Sequence, residues 1–102
     1  MPKEDYVYRA KDFYEQLEEQ NYKCFVTGRE LTPMNCTAEH LVPLKKGGQH
    51  IRENIVLLVR DIAPLKRNLS EEEIVLLAVD VIKAKGKAYG FKAIKSGKSK
   101  RK

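Results

Sequence analysis

Three shortages bound this chain before any motif is read. No apolar run approaches the roughly 20 residues that a bilayer crossing needs, so no membrane span is expected. Cys24 and Cys36 are the only cysteines among 102 residues. Two thiols cannot make a disulfide framework, and neither belongs to a C-x-x-C pair, which excludes a four-thiolate zinc site. Two reduced thiols packed as small hydrophobes are expected instead. Acidic residues are missing altogether from Lys83 onward, where nine Lys or Arg stand. Set against a net charge of +6, those nine leave residues 1–82 at −3. The basic character is mainly a tail property. Such a tail suits a polyanion, releasing counterions from phosphates without reading sequence, and a solvated tail that binds nothing specific is the alternative.

What is present is ordinary for a globular protein: 42% apolar and 33% charged residues, with room for one domain and one modest core. We read residues 1–90 as that single domain and 91–102 as the basic tail. The polar opening Met1-Pro2-Lys3-Glu4-Asp5 is not a signal peptide, and a cytoplasmic protein is the expectation.

Periodicity predicts a helix from Tyr6 to Gln20, with Val7, Ala10, Tyr14 and Leu17 at helical spacing and Phe13 beside them. Cys24-Phe25-Val26 reads as a short extended stretch closed by a turn at Thr27-Gly28. Residues 37–44 and 54–58 are strand candidates separated by the basic loop Lys45-Lys46-Gly47-Gly48. Arg60 to Arg67 allows a turn or two of helix, with Pro64 either confining its start to near residue 63 or imposing a break. Ser70 and Glu73 form a capping box opening a helix to about Lys85, with Gly86 as its stop. That last helix is apolar almost all round apart from Asp80, so it should be buried on more than one side, in the core or between two protomers. A homodimer is therefore one expected assembly. The fold class is α+β.

Chemistry can sit between Cys24 and Leu69. Glu39-His40 closes one strand candidate, a Gly-Gly loop follows, Asn54 opens the second strand candidate, and a basic helical stretch comes next. A carboxylate is a hard oxygen ligand for Mg²⁺ or a similar ion. Alternation sends Glu39 and His40 to opposite faces, so both serve one site only if the strand ends or bends there. Taken singly, a Glu-His pair or an Asn is most often a solvent-facing or turn residue, and the basic residues could be a solvated face.

Taken together, Glu39-His40-Leu41-Val42-Pro43, Gly47-Gly48, Asn54-Ile55-Val56 and Lys66 with Asn68-Leu69 resemble the HNH endonuclease signature. The intervals of fourteen residues from His40 to Asn54, nine to position 63 and three more to Lys66 resemble the HNH domain of CRISPR effector nucleases. Cys24-Phe25-Val26-Thr27-Gly28 is similar to the Cys-containing opening of many HNH proteins, and the match covers residues 24–69. The resemblance implies a ββα-metal core with flanking helices. It also implies a phosphodiesterase that nicks or cuts double-stranded DNA with Mg²⁺ or Mn²⁺, similar to the short homing and phage-encoded endonucleases. In that reading His40 is the general base, suited by a neutral imidazole, and Asn54 holds the histidine and its loop. Glu39 is a metal ligand in place of the usual Asp. Lys45, Lys46, Arg52, Arg60, Lys66 and Arg67 would contact phosphate.

Two departures qualify the implication. Thr27, Val59 and Ile62 stand where zinc-bearing relatives carry Cys, so no structural zinc is expected and apolar packing should substitute. Ala63 stands at the place of the second metal ligand, and a methyl group ligates nothing. Three explanations stay open: an inactivating substitution introduced at that position, a replacement ligand from Asp61, or a domain that binds nucleic acid without catalysis.

Overall fold

The structure, a computed structural model, describes residues 6–97. The opening five residues and the tail residues Lys98, Lys100, Arg101 and Lys102 lie outside them. The elements are α1 (Ala10–Glu19), β1 (Cys36–His40), β2 (Ile55–Val59), α2 (Ala63–Asn68) and α3 (Glu71–Lys85), with single 3₁₀ turns at Leu44–Lys46, Arg52–Asn54 and Gly86–Tyr89. This is an α+β protein. It separates into two compact units, 1–71 and 72–102.

The first unit is built on an antiparallel pair in which Cys36 faces Val59 and His40 faces Ile55. Every residue of β2 is buried, as its run of branched apolar side chains requires. Leu17, Cys24, Leu31, Cys36, Val56, Leu57, Leu58, Val59 and Ala63 form the core, with Phe13, Val26 and Ile62 packed against it. Complete burial of Leu57 alone is worth about 1.5–3 kcal/mol.

The first helix starts later than its periodicity suggests, and it buries a different face. Gln16 and Leu17 are its buried residues, whereas Val7 and Tyr14 are exposed. The reason is the outer edge of β2. Gln20 donates through Nε2 to the Leu57 carbonyl at 3.0 Å and accepts the Leu57 N–H at 2.9 Å, while Gln16 donates to the Ile55 carbonyl. Two side-chain amides thus take the hydrogen bonds that a third strand would supply.

The second extended stretch is reduced to an isolated bridge between Lys23 and Glu30 around a tight turn. There Cys24 Sγ accepts the Thr27 and Val59 N–H groups, each at 3.4 Å. Burial works to raise the Cys24 pKa, but hydrogen bonds from the Thr27 side chain and from the backbone of Thr27, Val59 and Val26 outweigh it, and the thiol is held below its ordinary value. Cys24, Val59 and Ile62 meet in the apolar core at this turn.

In the second unit, α3 begins directly after Ser70 and ends at Lys85, as read from sequence. Gly86 then has a packing reason. A Cβ there would stand 2.7 Å from the Phe91 carbonyl oxygen and 2.9 Å from Ile82 Cγ2. Ile74 is the buried residue of α3, while Val75, Leu76, Leu77 and Val81 are exposed among the described residues, against the expected burial on several sides. No helix among the described residues is long and apolar enough to cross a membrane.

Candidate nucleic-acid interface

The site is made where the β1–β2 connection folds back on itself. β1 ends at His40, and the Leu41 N–H donates to the Asn54 carbonyl at 2.7 Å. The Asn54 side chain then staples the loop. Its Oδ1 accepts the Val42 N–H at 2.9 Å, and its Nδ2 donates to the carbonyls of Val42 (3.1 Å) and Gln49 (2.8 Å). Gly48 is required by this closure, because a Cβ at that position would meet the Val42 carbonyl oxygen at 1.8 Å. Gly47 supplies a left-handed φ of 91°. The Gly-Gly pair thus serves two needs, a turn and a close approach.

The strand end resolves the problem of alternation. Glu39 and His40 both line an open cleft of about 290 Å³, together with Pro43, Lys45, Lys66 and Arg67. Glu39 is 7% exposed, and its Oε2 is 3.1 Å from Nε of Arg67, one turn past Ala63 on α2. His40 Nε2 is 3.0 Å from Nδ1 of His50. Burial lowers the His40 pKa below its ordinary 6.5, the His50 charge adds to this, and the Glu39 carboxylate opposes it. The imidazole is therefore neutral at neutral pH, although the nitrogen facing His50 is already engaged.

Two expected metal-site positions bring no donor to this cleft as the sequence stands. Ala63 is 1% exposed and belongs to the apolar core. Asp61 cannot replace it, because its side chain is 86% exposed and pairs with Arg29 at 3.6 Å, in a separate concavity with Glu30, Asn35 and Arg60. That placement lends the replacement-ligand explanation no support. Among the described residues, no three His, Cys, Asp or Glu side chains converge on a point a metal could take. The residues present do not fit the Mg²⁺ or Mn²⁺ that the resemblance implies. One carboxylate remains, and a guanidinium already holds it.

The basic residues divide by placement. Lys45, exposed at the cleft, donates to Asn68 Oδ1 at 2.6 Å, and Lys46 is exposed beside it. Arg67 keeps 58% of its side-chain surface open. Arg52 instead ties its turn to α1 through Glu19 at 2.8 Å. Arg60 donates to the Met34 carbonyl at 2.8 Å, away from the cleft. Lys66 is the clearest correction. It is wholly buried, and its Nζ donates to the Leu41 and Leu69 carbonyls at 2.5 and 2.9 Å. Its ammonium fastens the loop to α2 and is not presented to a phosphate.

His50 and the two glutamines of α1 were missed by sequence reasoning. The chain's second histidine in the same loop as Gly47-Gly48 was the available signal for His50. Nothing in the apolar periodicity of α1 marks Gln16 or Gln20, since their work is with backbone. No family model matches the chain, and neither a curated protein nor a solved structure matches it.

Proposed function

We propose that this chain is a ββα domain of the HNH type that binds double-stranded DNA at the cleft between β1, its loop and α2, and that it lacks metal-dependent cleavage as its sequence stands. One observation carries the reading. The Asn54 staple and the Gly48 contact bring Glu39, His40 and Arg67, from a strand end and the following helix, to one open cleft. The exposed cations Lys45 and Arg67 line it, with exposed Lys46 next to Lys45 in the loop, where they would meet the phosphate backbone. Phosphate contacts of this kind supply affinity and register without reading bases. The site belongs with intracellular DNA in this reading. The exposed apolar face of α3 is available to a second protomer.

A second reading, an active HNH endonuclease, is favoured by the neutral imidazole of His40 and by Asn54 holding its loop. It is disfavoured by the loss of donors. Ala63 has no ligating atom, Glu39 is paired, and His40 Nε2 faces His50 rather than an open position. Fluorescence anisotropy with a labelled duplex tests the proposal. The chain should bind at low salt, and Lys45→Glu with Lys46→Glu should weaken binding at least about tenfold, as two phosphate contacts reversed in sign would. No measurable binding to duplex, or binding indifferent to both changes, would overturn it.

A further inference from the structure

We infer that Arg67 stands where a nuclease of this layout would hold its cation, and that the cleft is a metal-independent binding site for a phosphodiester group. The inference rests on the DNA-binding reading above and deepens it. Glu39 is 7% exposed, and a carboxylate so far from water needs a positive partner. A divalent ion would be one such partner, but the second donor it needs is replaced by the methyl of Ala63. The partner present is the Arg67 guanidinium, with Nε 3.1 Å from Oε2 of Glu39.

This substitution changes what the cleft can hold. A guanidinium has five N–H donors in a planar fork, and the contact to Glu39 uses the inner edge. Arg67 is 58% exposed, so its outer edge reaches the cleft, where a phosphate can take paired N–H···O bonds. Lys45 adds a second positive charge to the same cleft and is anchored on Asn68 of α2 by a 2.6 Å bond. Glu39 orients the fork, and Arg67 makes the contact. The ligand class is a phosphate diester or monoester. The backbone of duplex DNA and free inorganic phosphate share that chemistry.

Anisotropy on a labelled duplex, with EDTA or with Mn²⁺, tests this directly. The unaltered chain should bind equally in both, and isothermal titration with Mn²⁺ alone should show no uptake. Arg67→Gln should weaken duplex binding about 10- to 100-fold, the loss of one charge-assisted hydrogen-bonded contact. Should Glu39, left unpaired, unfold that variant, the double change Glu39→Gln with Arg67→Gln removes both charges, and the same loss is expected. Glu39→Gln alone should weaken binding less than Arg67→Gln does, because an amide oxygen can still accept from Arg67 Nε while the guanidinium remains. Inorganic phosphate competing at millimolar concentration would place the free ion in the site. Competition only by duplex would assign it to the DNA backbone. Duplex binding that needs Mn²⁺, or that survives loss of Arg67 unchanged, overturns the inference and leaves the DNA-binding reading standing. Absence of duplex binding overturns that reading itself.

Discussion

The Nε2 of His40 and the Nδ1 of His50 lie 3.0 Å apart, with the two rings edge to face at 5.3 Å and Tyr6 edge-on to His50 at 5.4 Å. One ring nitrogen donates and the other accepts across this contact, and charging both rings would place two like charges side by side.

Acid should therefore weaken the fold through His40. Its folded-state pKa lies below the 6.5 of an ordinary histidine, chiefly through burial and then through His50. The unfolded chain takes up the proton first, so the stability is fully present above pH 6.5 and is lost as pH falls through the folded-state value. Proton NMR of the two histidines and thermal melts between about pH 8 and pH 5 check this. His50→Gln should move the His40 titration back toward the ordinary value. A His40 that titrates at or above 6.5 in the unaltered chain contradicts the burial argument.

Asn54→Ala should loosen the loop. Three hydrogen bonds to Val42 and Gln49 are lost, two of them leaving carbonyls to water. At about 0.5–1.5 kcal/mol net for each bond, a loss of roughly 1–3 kcal/mol is expected after partial rescue by solvent. Urea denaturation measures the loss, and faster amide exchange at Val42 locates it. Unchanged protection at Val42 would mean that the loop is held by something else.

Lys66→Met separates a fastener from a phosphate contact. The wholly buried ammonium serves the Leu41 and Leu69 carbonyls. Its removal should lower stability by about 1–3 kcal/mol, the cost of buried acceptors left without a donor. Duplex affinity of the folded variant should change little. A variant of native stability with weakened DNA binding would restore Lys66 to the phosphate-contacting set.

Much of the scaffold was legible in sequence because it follows from local chemistry. The β-branched run of β2, Pro64 at the start of α2 and Gly86 after α3 each mark an element by propensity or sterics. The cleft was half legible. Glu39, His40 and Asn54 stand out by order and spacing, but the partner of Glu39 does not. Arg67 reads in sequence as one more cation on a basic stretch. Only the packing of α2 on β1 turns it toward a buried carboxylate. Lys66, its neighbour, is turned the other way by the same geometry. The glutamines of α1 were illegible for a related reason: a polar residue that satisfies a strand edge leaves no apolar pattern.

The basic tail should add affinity without choosing sequence. Truncation after Tyr89 removes six positive charges, four of them on residues outside those described. Binding to cognate and scrambled duplexes should weaken by similar factors. The dependence of log K on log salt should flatten by up to about 0.9 per lost phosphate contact. An unchanged slope would mean that the tail is solvated, and a selective loss on one sequence would mean that it reads bases.

The account turns on whether the cation site has been taken over by Arg67, and plasmid nicking with Mg²⁺ or Mn²⁺ reads this most directly. Four proteins are compared: the chain as it stands, Ala63→Asn, Ala63→Asn with Arg67→Ala, and that double variant carrying His40→Ala. The account predicts no metal-dependent nicking by the first two, since Glu39 stays paired in both. Nicking should appear in the third, where Glu39 is released and a second donor returns, and should fall by about 10² to 10⁴ in the fourth, as loss of a general base does. Metal-dependent nicking by the unaltered chain, or none by the third protein, would contradict it.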